Sequence, residues 1–511
     1  MSTFLHFRYI VGAFVAQSGI RCVKVKSATS GFSRKSSDRF ITIFSSFTLL
    51  TPRWWFAGEA NKETEGMRVR SKRSVSALLS IGVVTIAATI ASAPAASAIG
   101  GPCGGGGTGS LGSMTGSLSG SAGTGSLVNS LPWITGAPNG ALPVLTGRTK
   151  AIEMVTGPGS PNDTINRFNV SGTDLGIMWD NGLSGSDHNV LMAFGDTVGD
   201  CEIEGDDWRS NVLFRSSNTD FQDKLRIDSS PKDLPNHSKE IIPGFGIPFE
   251  FTTIPTAGIS YGGVQYIRFM SVRTWDEPGA WTTNYSALAY STDNGENWDI
   301  DPVTVRANTP GLDIPGIPAV SSINENFQQS AFVDGGDGYI YEYGTPSGRF
   351  GKAVLARVPG AQLRNPLAYT YWDGSGWSVN SDDAVQVIKA PVSELAVQWN
   401  DYLDKYVAMY TSADGSLVIR QADHPEGPWS GTQTLLSGYT LPSLYGGFMH
   451  PWTSRTGNTL EFVATTWDRY NVIYMQTDLT GMKMSSSDTR DRPDPATTGE
   501  AQLLEMRTPT E

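Results

Sequence analysis

Two aspartates stand where a carboxylate pair could form. Asp174 lies near the start of the strand-like run GTDLGIMWD (172–180), and Asp196 near the end of VLMAFGDT (190–197). If these runs are neighbouring antiparallel strands, the start of one lies beside the end of the other, and both carboxyls reach the same rim. Paired carboxyls across a sugar ring are what glycoside hydrolysis needs. One protonates the leaving oxygen, and the other activates water or attacks the anomeric carbon. Aspartates in these positions also cap turns. Glu394 opens the run ELAVQWN (394–400). It is either a third carboxylate that tunes a neighbour or binds a hydroxyl, or an exposed strand-end acid. His450, in GGFMHPW, could bind substrate or a central ion, or pack near a channel floor. Trp208 and Arg209, in the loop DWRSN, could stack on a sugar face and bind hydroxyls. Trp208 could equally be ordinary core.

The elements that would position these residues recur five times. Each unit pairs an inner strand with a more apolar second strand, and a third usually follows. The second strands read VLMAFGDT, YIRFMSVR (266–273), YIYEYGTP (339–346), YVAMYTS (406–412) and LEFVATTW (460–467). With 57 Gly and 14 Trp, and no long amphipathic helix, the pattern predicts an all-β fold, a five-bladed β-propeller. The inner strands are read as 172–180, 256–263, 326–334, 394–400 and 446–452. Their N-terminal ends should converge on one pocket, which places Asp174, Thr256, Asn326, Gln328, Glu394 and His450 together. STDNGENW (291–298) matches the Asp-box pattern Ser-x-Asp-x-Gly-x-x-Trp. Its expected role is a structural outer turn, with Asp293 holding the backbone and Trp298 packing between strands.

The chain ends differ in composition. Residues 1–66 read as an over-extended start ahead of Met67. Residues 67–98 read as a signal peptide: a basic MRVRSKRS, an apolar run and an Ala96-Ser97-Ala98 cleavage site before Ile99. Residues 99–130 are a Gly/Ser-rich linker, 131–480 the propeller, and 481–511 a disordered acidic and polar tail. Residues 1–98 hold 13 of the 38 basic and 4 of the 50 acidic side chains, so the remainder is more acidic than the whole chain's net −12. That balance argues against nucleic acid as a partner. The expected protein is secreted or held in the cell envelope, with no membrane span in its mature form. Cys-x-x-Cys pairs, clustered histidines, a phosphate loop and a Gly-x-Ser-x-Gly elbow are all missing. No cofactor is expected, and no metal ligands are assigned.

The motifs GTDLGIMWD, LMAFGDT, DWRSNVLFRS, NFQQSAF, SELAVQWNDYLDKYVAMYTS and GGFMHPW together resemble the actinobacterial family known as domain of unknown function 4185, over roughly residues 165–480. Members of that family are assigned to glycoside hydrolase family 183, five-bladed endo-D-arabinanases. The resemblance implies an endo-acting hydrolase of cell-wall D-arabinan in arabinogalactan or lipoarabinomannan, with Asp174 and Asp196 as the acidic pair. The substrate-binding candidates are Trp208, Arg209, Asn326, Gln328, Glu394 and His450. The alternative is a non-catalytic envelope propeller that binds glycan or protein. An open groove with a free carboxylate pair favours the hydrolase. Carboxylates pinned by arginine or turn amides favour the binder.

Overall fold

The computed structural model describes residues 140–203, 205–276, 279–314, 324–453, 457–492 and 501–507. The expected start extension, signal peptide and Gly/Ser linker lie outside them. The fold is an all-β, five-bladed propeller. The inner strands are Gly172–Asp180, Thr252–Tyr261, Gln329–Asp334, Ser393–Asn400 and Leu444–Met449. Each packs against the next, and the fifth packs against the first, closing the ring. The second strands are Val190–Val198, Val264–Trp275, Tyr339–Thr345, Lys405–Thr411 and Thr459–Thr466, all antiparallel to their inner partners.

The second strands read as continuous apolar runs because adjacent blades cover both of their faces. An ordinary half-solvated strand would instead alternate. In the first blade the inner strand is covered as well, and every residue from Gly172 to Trp179 is buried. Close packing sets side-chain size locally. Trp179 lies across Gly258 of the next blade, where an added Cβ would come 2.1 Å from the indole. The Trp179 Nε1–H donates to Gln265 Oε1 at 3.0 Å.

The last blade is completed by the strand Thr149–Met154, which pairs with its third strand Asn471–Asp478. The first and last parts of the propeller are thus laced into one sheet. The expected tail beyond 480 is, in its described parts, laid on the propeller instead. Met482, Met484 and Ala501 are buried. Gln421 holds the backbone at Met482 and Met484, and Leu503–Arg507 pairs with Leu142–Leu145. Composition suggests a tail because the stretch is polar, yet Met482, Met484 and Ala501 dock, while Leu504 stays exposed.

The Asp box forms the turn between Trp281–Ser291 and Asp299–Ala307. Asp293 Oδ1 accepts from Ser291 Oγ and Asn297 N–H, and Trp298 Nε1–H donates to the Gly295 carbonyl. Its role is structural, as expected. Cys201 is disulfide-bonded. No helix among the described residues is long and apolar enough to cross a membrane.

Candidate active site

The inner strands enter the pocket irregularly. Pairing shifts register around Asp174 and Gly176, at Thr256, at Glu394–Leu395 and at Gly446–Gly447. Such bulges turn a side chain out of the sheet alternation and toward the axis. Two of them hold non-glycine residues in the left-handed region, Leu175 at φ 67° and Glu394 at φ 46°. That conformation costs steric strain, which collects at functional sites.

These bulges open on a pocket at the N-terminal ends of the inner strands. Asp174, Thr256, Gln329, Ser330, Glu394 and Tyr445 supply its polar wall. Trp275, Trp281 and Trp467 supply aromatic surface, and Arg349 enters from the loop after the third blade's second strand. The pocket and its open mouth enclose about 580 Å³ of empty space. Farther along the axis a second, smaller cavity is lined by residues of the inner strands, among them Ile177, Ala257, Ala331, Val397, Gln398 and Met449. No cluster of His, Cys, Asp or Glu among the described residues could hold a metal ion.

Asp174 is 7% exposed. Its Oδ2 accepts from the Tyr445 hydroxyl at 2.9 Å, Oδ1 has no partner in hydrogen-bonding geometry among the described residues, and the Tyr470 hydroxyl also interacts with this carboxyl. Gly195 allows the close approach, since an added Cβ would stand 2.3 Å from Oδ1. Burial, and then the neighbouring Asp196, push the Asp174 carboxyl up to about 8; the Tyr445 hydrogen bond opposes them. Asp196 follows Gly195 on the adjacent strand, and its Oδ1 accepts from Thr252 Oγ1 at 2.5 Å. Burial pushes it up to about 7, with Thr252 opposing and Glu240 assisting. Neither aspartate has a salt bridge among the described residues. Glu342 shows the contrast. It is also fully buried, which alone would raise it, but Arg268 and Arg306 hold it down to about 2. An acid kept protonated near neutrality is poised to donate; a paired one is not.

The other expected site residues divide. Glu394 lines the pocket, but Arg349 grips its Oε1 through Nε at 2.8 Å and Nη2 at 2.7 Å. Asp196 is buried and is not part of the main pocket wall. Gln328 is a correction. The short 3-10 turn Glu325–Phe327 delays the third inner strand to Gln329. Gln328 is then committed to Thr283 Oγ1 and the carbonyls of Arg306 and Asn324, while Gln329 and Ser330 face the pocket. Asn326 lies in that turn, off the pocket wall. His450 is a second correction. It follows the C-terminal end of the fifth inner strand, away from the pocket. It stacks on Phe221 at 4.2 Å, and burial drives its imidazole down to about 3, so it is neutral. Arg209 is a third. It is buried and donates to the carbonyls of Asn169 and Ser238. Trp208 is 42% exposed and outside the pocket wall.

Arg349, Tyr445, Trp281 and Trp467 were not anticipated. Tyr445 stands one residue ahead of the motif GGFMHPW, so extending that strand by a single residue would have found it. Arg349 sits in a loop without periodicity. Its guanidinium lies 4.7 Å from the Trp467 ring centre and 5.2 Å from that of Tyr445, and those two rings stack 3.7 Å apart.

The sequence profile of the family described as Domain of unknown function (DUF4185) matches residues 159–476, which include the whole pocket. The chain belongs to the DUF4185 family. A curated relative, "Notoamide biosynthesis cluster protein J" of Aspergillus sp. (strain MF297-2), is 29% identical over 340 residues, 60% of this chain and 83% of that protein. Among solved structures, the Bacillus subtilis arabinanase Arb43A is 13% identical, with a TM-score of 0.33, covering 60% of this chain and 96% of that one. The alpha-L-arabinofuranosidase PaAbf62A of Podospora anserina is 10% identical, with a TM-score of 0.35, covering 66% and 98%. The DUF4185 profile therefore spans both aspartates and every aromatic residue of the pocket wall.

Proposed function

We propose that this protein is a glycoside hydrolase, an endo-D-arabinanase exported to act on D-arabinofuranosyl linkages of cell-wall arabinogalactan and lipoarabinomannan. One observation carries the hydrolase reading. Asp174 is an acid held protonated near neutrality, without a cationic partner, at the wall of an open aromatic pocket. In this reading Asp174 gives its proton to the glycosidic oxygen as the C–O bond to the anomeric carbon breaks. Asp196, ionised and set back from the pocket wall, takes a proton from the attacking water. Trp275 and Trp281, packed edge to face at 5.7 Å, offer surface for sugar rings. The D-arabinan substrate rests on the family resemblance, since the name of the fungal relative speaks of a biosynthesis cluster and not of a polysaccharide.

The test is to incubate the purified protein with arabinogalactan and separate the products. Early release of oligosaccharides supports endo-hydrolysis, while free arabinose alone contradicts it. Binding of arabinan without cleavage would return the reading to a non-catalytic glycan-binding propeller.

A further inference from the structure

Arg349 and Glu394 form an ion pair inside the pocket, and each stands within the electrostatic reach of Asp174. The pair reaches Asp174 through a continuous chain of contacts. Glu394 holds Arg349, the guanidinium lies over the Tyr445 ring, and the Tyr445 hydroxyl donates to Asp174. Arg349 is the lone cation of the pocket wall among the described residues. We propose that Glu394 acts as a positioning residue that neutralises Arg349, so that the pocket can carry an arginine beside its acid without drawing off the acid's proton. This rests on the reading of Asp174 as the proton donor and gives its pH window a physical origin.

The ionisable groups that bear on Asp174 are Asp196 from the adjacent strand, Tyr445 and Tyr470 from the fifth blade, Arg349 from the third and Glu394 from the fourth. Glu394 favours the protonated acid, and Arg349 favours the carboxylate. At present the two oppose each other. With Glu394 intact, Arg349 directs two of its nitrogens at that carboxylate, and Nη1 donates to nothing among the described residues. A neutral sugar hydroxyl can take that donor. An anion finds no uncompensated charge, so the pair also favours a neutral chain over an acidic one.

Three variants test this: Glu394→Gln, Arg349→Met and the double variant. The Asp174 carboxyl is followed by carbon NMR titration, and the alkaline limb of kcat/KM on arabinan is measured beside it. Glu394→Gln should move both toward acid by about one pH unit, and Arg349→Met should move both toward alkali by a similar amount. The double variant should return close to wild type, which loss of a merely structural contact would not do. Glu394→Gln should also become sensitive to inhibition by sulfate. Shifts in the same direction, or no shift in variants that still melt cooperatively, overturn the proposal. If the NMR titration moves as expected but no variant and no wild-type protein cleaves arabinan, the pair's role stands and the hydrolase reading falls.

Discussion

At the residue scale, the two aspartates make opposite demands on pH. Asp196 must lose its proton to act as base, and Asp174 must keep its own to act as acid. The rate should rise as pH passes about 7 and fall as it passes about 8, a narrow bell that belongs to the coupled pair. Asp174→Asn and Asp196→Asn should each lower kcat by at least about 10²-fold while leaving the fold intact, checked by initial rates and by circular dichroism. Should Asp196→Asn keep its rate and only move the bell, Asp196 would act through Asp174 and not on the sugar. Stability offers a separate check. The folded-state value for Asp174 is raised above the unfolded one, so the folded protein holds a proton that the unfolded chain releases. Stability contributed by that proton is therefore complete at low pH and lost as pH climbs from about 4 to about 8. Asp174→Asn should melt like wild type at pH 4 and at higher temperature at pH 8, since each pH unit of the interval is worth about 1.4 kcal/mol. Equal melting at both values would show that Asp174 is not buried as a protonated acid.

At the scale of the elements, the bulges matter more than the strands. Asp174 and Asp196 were legible because their strands begin and end as their apolar runs do, and Glu394 because a strand start is marked by sequence order; Thr256 reaches the pocket through a bulge in the middle of Thr252–Tyr261, four residues after the strand begins. Gln328, His450 and Arg209 were misplaced for three local reasons: a 3-10 turn ahead of a strand, a histidine at the far end of its strand, and an arginine satisfied by carbonyls from distant segments. Sequence order carries none of these. The polar stretch after 480 was misjudged because composition averages over its docked methionines. Gly195 is the element-level test of the site. Gly195→Ala would push a methyl into Asp174 Oδ1 and should lower kcat at least about 10-fold, with a smaller effect on melting temperature than on rate. Truncation after residue 480 removes buried Met482 and Met484, whose burial alone is worth about 3–6 kcal/mol before ordering costs, so it should lower the melting temperature measurably.

At the scale of the whole molecule, five blades share one axis and one site, so the pocket exists only in the closed ring. Its walls come from all five inner strands, which is why no single motif announces it. Limited proteolysis should therefore leave one fragment that includes residues 140–507, with loss of activity tracking loss of that fragment and no active half surviving. A two-stranded ribbon ties the chain's two described ends together. Leu142 and Arg507 face each other as register partners across that ribbon. The order in which the blades are encoded is then a matter of where the gene was cut, and not of how the blades fit. A short turn joining Arg507 to Leu142, with new ends opened in the exposed loop around Ser375, should give a circularly permuted protein with the same pocket, melting lower than the full chain by the share of stability that the lost Cys201 disulfide supplies.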